Sequence, residues 1–124
     1  MALQESGQMY LETIHILLQK NKKVRAIDVG AHLGYSKPSV SRAVGILKSN
    51  GYIVVDSDGY ITMTVKGEEV ASKLYERHTV LSCMLTALGV SEKIAIEDAC
   101  RMEHVISDET FDAIKKHMII YTKL

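Results

Sequence analysis

Cys100, Glu103 and His104 fall within the heptapeptide ACRMEHV at residues 99–105. On a helix, positions i, i+3 and i+4 share a face, so this stretch is expected to present a thiol, a carboxylate and an imidazole side by side. Two readings follow from the residue types. A divalent metal ion takes such donors as ligands, and a buried polar cluster that satisfies itself uses the same groups without an ion. A nucleophilic Cys100 activated by His104 is a third use. One turn of helix supplies neither an oxyanion hole nor a cleft, and no other catalytic constellation appears. The sequence therefore predicts no enzyme and no small-molecule substrate.

The elements that must carry these residues are read from apolar spacing. Tyr10, Leu11, Ile14, Leu17 and Leu18 make an amphipathic helix of residues 4–20. A short helix from Ala26 to Leu33 is expected to bury Ile27, Ala31 and Val29, and Gly34 then supplies a left-handed end. In YSKPSVSRAVGILKSNGY, Ser36 is a helix cap and Pro38 suits a first turn whose N–H groups have no helical partner. Val40, Val44 and Leu47 face inward, leaving Ser39, Ser41 and Arg42 outside, and Asn50-Gly51 ends the helix. YIVVDSDGYITMT places two β-branched runs around Asp58-Gly59, a hairpin signal. After Thr64, a long helix to about Leu88 is expected to bury Val70, Leu74, Leu81, Met84 or Leu85, and Leu88. Ser91 caps a helix expected to run to about Ile106, and Ser107 opens a last one with Phe111, Ile114 and Met118 inward. The tail MIIYTKL stays apolar, as an association surface would.

Two short helices and a hairpin spell a winged helix-turn-helix. The fold class is mainly α with a small β-hairpin wing, with a winged helix-turn-helix DNA-binding domain at 1–66 followed by a long helix and further helices at 67–124. Arg42 can donate two hydrogen bonds to a guanine, and serine hydroxyls reach phosphates or base edges. Lys22, Lys23, Arg25, Lys37 and Lys48 surround that helix as phosphate contacts.

Charge agrees with this division. The 124 residues carry no net charge, yet residues 1–66 hold eight Lys/Arg against five Asp/Glu, and residues 67–124 hold seven against ten. A polyanion suits the first part only. No run of about 18 apolar residues is present, the N-terminus lacks the pattern of a signal peptide, and Cys83 and Cys100 make a thin disulfide framework. A cytoplasmic protein with no membrane partner is expected.

MYLETIHIL, SKPSVSRAVGILKSNGYIVV, GYITMTVKGEEVA, ERHTVL and above all ACRMEHVISDE resemble the diphtheria-toxin-repressor family of iron- and manganese-dependent transcriptional repressors, from about Ser6 to Lys116. The resemblance makes 67–124 a long linking helix with a helical metal-binding and dimerisation domain, and implies a cytoplasmic homodimer that reads a palindromic operator on double-stranded DNA and represses metal-uptake genes. An ion would lie between the DNA-binding and dimerisation domains. Residue by residue, Met9, Cys100, Glu103 and His104 match the activating site of iron-type members, and Glu12 and His78 match ligands of manganese-type members. Ser36, Pro38, Ser39 and Arg42 match DNA-contacting positions. The pattern departs at Ser82 and Ile96, where iron-type members carry ligands of an ancillary site, and at Met9 and Cys100, where manganese-type members are acidic. Sulfur donors favour Fe(II), Co(II), Ni(II) or Zn(II) over Mn(II). Fe(II) is the expected effector, Mn(II) the second, with Zn(II), Co(II) or Ni(II) substituting in vitro. The alternative is a winged-helix regulator not activated by metal.

Overall fold

The structure, a computed structural model, describes residues 3–21 and 23–122, with side chains as far as residue 119. Its element order is α1 (Glu5–Lys20), α2 (Ala26–Leu33), α3 (Lys37–Ser49), β1 (Ile53–Val55), β2 (Ile61–Met63), α4 (Val65–Ala87), α5 (Glu92–Met102) and α6 (Asp108–Thr122). Two compact units are present, residues 1–72 and 73–124. The first eight residues of α4 belong to the first unit and the remainder to the second.

The first unit is built on the apolar faces of three helices. Leu11 and Ile14 of α1, Val29 of α2, and Val40, Val44 and Leu47 of α3 close on Ile53 and Ile61 of the hairpin. Each large aliphatic side chain so buried contributes about 1.5–3 kcal/mol. Gly34 ends α2 at φ 72°, in the left-handed region that glycine enters without steric cost, and its N–H donates to the Gly30 carbonyl. Ser36 caps α3, its hydroxyl accepting from the Ser39 N–H, with Pro38 in the first turn. Thr64 does the same for α4 by accepting from the Gly67 N–H at 3.0 Å. Gly67 must be glycine, because a Cβ there would stand 2.0 Å from the Tyr52 carbonyl oxygen.

The hairpin pairs Ile53 with Met63, Val54 with Thr62 and Val55 with Ile61. Its tip is wider than a two-residue Asp58-Gly59 turn. Asp56 Oδ1 accepts from both the Asp58 and Tyr60 N–H groups at 2.9 Å, an Asx arrangement that spreads the turn over residues 56–60.

The second unit packs Val80, Phe111 and Met118 together, with Cys83, Met84, Ile106 and Ile114 at the edge of the cluster. Ser107 caps α6, accepting from the Thr110 N–H at 3.1 Å. The apolar tail expected after Met118 falls largely on residues whose side chains lie outside those described.

Three expectations about these elements are corrected. Ile27 is 68% exposed and Ala31 is exposed, because α2 turns its 26-29-30-33 line inward and only Val29 is buried. Leu88 is 73% exposed, one residue beyond the end of α4 at Ala87. Finally, α5 stops at Met102 rather than Ile106. Glu103 is its C-cap, and the Val105 and Ile106 N–H groups fold back to the Met102 carbonyl in a turn.

Candidate metal centre and DNA-reading surface

The early end of α5 changes the geometry expected of ACRMEHV. Cys100 remains on the helix and is exposed, whereas Glu103 and His104 lie in the turn beyond it. The partner that joins Glu103 and His104 is His78, from the middle of α4. His78 Nδ1 lies 3.2 Å from Glu103 Oε2, and His104 Nε2 lies 3.3 Å from Glu103 Oε1. Glu103 is fully buried, with 0% of its surface exposed.

A carboxylate inside a protein is strongly disfavoured unless positive charge meets it. An imidazole nitrogen without its proton and a carboxylate oxygen both offer lone pairs, which repel unless a proton or a cation stands between them. Two imidazole nitrogens around one buried carboxylate are the donor set that a divalent first-row ion accepts. The donor types fit a metal.

Two further residues set the frame of this cluster. Arg77, 8% exposed, donates to the Glu103 carbonyl at 3.1 Å, to the Ile106 carbonyl at 2.8 Å and to the Asp108 carboxylate. Hydrogen bonds from Lys73 first and Arg77 second hold the Asp108 carboxyl below the usual carboxylate range. Sequence reasoning missed Arg77 and Asp108. The available signal was a cation immediately before a candidate ligand, in ERHTVL, and an acid opening the next helix.

The other candidate ligands lie where their elements put them. Glu12 is buried on α1, and half-buried Met9, one turn earlier, has its sulfur 3.8 Å from the Tyr35 hydroxyl. The ancillary-site positions hold no ligands. The Ser82 hydroxyl donates to the His78 carbonyl at 2.7 Å, and Ile96 is 45% exposed.

In the first unit, Ser36, Lys37, Pro38, Ser39, Ser41, Arg42 and Lys48 all lie on or beside α3 and are exposed. Ser36 and Ser39 are also hydrogen-bonded to each other, so the capping serine has a structural duty as well. A cleft of about 690 Å³ opens beside α3, lined by Ser39, Arg42, Asn50 and Lys66 among others and by no acidic side chain. Lys22 lies outside the described residues. Arg25 and Lys23 both sit over the Tyr60 ring, at 4.4 and 5.2 Å from its centroid, at the base of the wing. The wing tip itself carries Asp56 and Asp58, which repel phosphates, so the cations at its base are better placed for DNA than its apex.

Residues 2–61 match the family of iron dependent repressor N-terminal DNA binding domains, and residues 64–119 match the iron dependent repressor metal binding and dimerisation domain. The transcriptional regulator MntR of Escherichia coli O6:H1 is 37% identical over 106 residues, covering 86% of this chain and 68% of that protein. The chain belongs to the iron-dependent repressor family. The diphtheria toxin repressor of Corynebacterium diphtheriae is 32% identical over 86% of this chain and 48% of its own length. An HTH-type transcriptional regulator of Methanocaldococcus jannaschii is 30% identical over 94% of both chains. The solved structure of the manganese regulator SloR aligns with a TM-score of 0.81 at 25% identity, and that of the metal-dependent regulator MtsR with 0.83 at 25%. This chain spans 54% and 53% of the lengths of those two structures.

Both parts of the chain thus match those of a family of metal-responsive transcriptional repressors. Its first part carries the winged DNA-binding fold, and its second the metal-binding and dimerisation domain, where His78, Glu103 and His104 meet. Its relatives are transcriptional regulators rather than enzymes. Among the described residues no helix is long and apolar enough to cross a membrane.

Proposed function

We propose that this chain is a homodimeric repressor that binds a palindromic operator when Fe(II), or second Mn(II), is plentiful, and so limits metal uptake in the cytoplasm. The observation that carries the reading is the fully buried Glu103 carboxylate bracketed by His78 and His104, within the part that matches a metal-binding domain. On the sequence resemblance, Met9, Glu12 and Cys100 complete the ligand set.

The choice of ion rests on the sulfur donors. His78, Glu103 and His104 supply nitrogen and oxygen, which suit manganese, iron and zinc alike. A thioether from Met9 and a thiolate from Cys100 move the preference toward iron. The bound ion supplies positive charge that joins these donors. Everything else in the switch belongs to the protein, whose DNA-reading surface must have different affinities for operator in its two states.

Homodimerisation is supported by apolar side chains left exposed in the second unit, among them Leu88, Ile94, Val105 and Ile119. A two-fold dimer presents two α3 helices, and half-sites about one helical turn of DNA apart are read only when their spacing fits.

The test is anaerobic fluorescence anisotropy on a palindromic duplex selected from a random-sequence pool by the metal-loaded protein. Chelated protein is titrated with Fe(II), Mn(II) and Zn(II). A ten-fold or greater gain in affinity with Fe(II), absent in the Glu103→Ala/His104→Ala variant, supports the reading. Equal DNA affinity with and without chelator overturns it in favour of a metal-independent regulator.

A further inference from the structure

Two adjacent residues of α4 reach the same residue of the turn after α5, by different parts of it. His78 meets the Glu103 side chain at 3.2 Å, while Arg77 donates to the Glu103 backbone carbonyl at 3.1 Å. From the same Nη1 atom, Arg77 also donates to the Ile106 carbonyl at 2.8 Å, and its Nη2 holds Asp108 at the start of α6. Its guanidinium lies 5.3 Å from the centroid of Phe111, whose ring is buried.

We propose that Arg77 is a positioning residue of the metal centre, a clamp that fixes the 103–106 turn so that Glu103 and His104 face His78 before any ion arrives. This inference rests on the metal reading of that cluster. Three physical points carry it.

The carbonyls at the end of a helix lack intrahelical partners and carry partial negative charge, so a cation beside them is favourable. Without Arg77 the Glu103 and Ile106 carbonyls would need other donors. A buried cation is costly unless its donors are used, and Arg77 is both buried and engaged with two carbonyls and a carboxylate. Only a planar fork can serve those acceptors together. Lysine offers a single ammonium on a flexible stem, which makes Arg77→Lys a sharp substitution here. Finally, His104 lies beyond the C-cap Glu103, whose N–H still donates to the Ala99 carbonyl at 3.0 Å. Beyond it, the Val105 and Ile106 N–H groups both donate to the Met102 carbonyl, at 3.1 and 3.2 Å. Residues that orient ligands in this way are worth about 10–100-fold in metal affinity.

The experiment compares the full-length wild type, Arg77→Lys and Asp108→Asn. Amide hydrogen exchange on chelated protein reads the turn alone, and calorimetric Mn(II) titration with Co(II) visible absorption reads the site. The clamp predicts faster exchange at Val105 and Ile106 in Arg77→Lys without metal, Mn(II) binding weakened by about 10–100-fold and altered Co(II) bands, with a cooperative thermal transition retained. Asp108→Asn, which removes one exposed acceptor and leaves the arginine, gives the same changes in smaller measure. That variant decides the matter if Arg77→Lys does not fold. Unchanged exchange at residues 105 and 106, or wild-type affinity with a wild-type Co(II) spectrum, overturns the clamp. If the wild type itself takes no ion while exchange still rises in Arg77→Lys, the metal reading fails and the clamp survives as a structural brace only.

Discussion

Glu103 Oε1 lies 3.3 Å from Nε2 of His104, its immediate neighbour in sequence. Consecutive residues of a helix point about 100° apart and do not face each other. These two come together at the end of α5, where Glu103 is the C-cap and the Val105 and Ile106 N–H groups both turn back to the Met102 carbonyl.

A neutral amide at the centre of this cluster removes the charge that an ion would balance. In the Glu103→Gln variant, the rise in melting temperature that Mn(II) gives the wild type is expected to vanish. Saturating ligand at 100 times its dissociation constant stabilises a folded protein by about 2.7 kcal/mol, so a thermal-shift series with and without chelator reads the difference clearly. A full Mn(II) shift in Glu103→Gln would remove Glu103 from the ligand set.

The metal preference should follow the sulfur donors. Replacing Met9 with Asp and Cys100 with Glu exchanges soft ligands for hard ones. The double variant is expected to favour Mn(II) relative to Fe(II) more than the wild type does, as read by anaerobic competition with a chromophoric chelator. An unchanged ratio would mean that the two sulfur residues do not touch the ion.

Acid should loosen the second unit by way of Asp108. Its folded-state carboxyl is held below the ordinary aspartate range, by hydrogen bonds from Lys73 first and Arg77 second. A depressed pKa contributes stability above the unfolded-state value, which is lost as pH falls through the folded-state one. Asp108→Asn should therefore lower the urea midpoint at neutral pH, and the gap to wild type should close below about pH 4, near the reference carboxylate value. A constant gap from pH 7 to pH 3 would show that the charge of Asp108 is irrelevant to it.

DNA reading and DNA holding should separate on the first unit. Arg42→Ala is expected to cost about 1–3 kcal/mol on a selected duplex and to relax base preference at one position. Lys23→Ala or Arg25→Ala should weaken all sequences alike and reduce the slope of log affinity against log salt by about 0.9 each. Filter binding across a salt series distinguishes the two behaviours. A salt slope unmoved by either Lys23→Ala or Arg25→Ala would place the base of the wing away from the phosphates.

The sequence carried the winged fold well because its signals are local. Ser36, Pro38 and Asn50-Gly51 bound α3 by capping chemistry, and β-branched runs mark the hairpin. On α2 the apolar content misled, since an eight-residue helix offers two plausible faces and only packing selects the one with Val29. Substituting Ile27 with Ser should accordingly change stability by no more than about 0.5 kcal/mol, as surface changes do, and Val29→Ala should cost about 2 kcal/mol. At the candidate metal centre, residue types and the family resemblance gave the candidate ligands. They did not give the end of α5, the role of Arg77 or the meeting of His78 with Glu103. Those depend on which elements pack together, which no single-helix spacing encodes.

The central claim is that metal binding and operator binding are linked in this protein. Linkage is reciprocal, so an ion that strengthens DNA binding must itself be held more tightly on DNA by the same factor. Measuring the Mn(II) dissociation constant by calorimetry, with and without a saturating selected duplex, tests this directly. The account predicts tighter Mn(II) binding in the presence of DNA, by the factor with which Mn(II) raises DNA affinity. An identical Mn(II) dissociation constant in both conditions would contradict it.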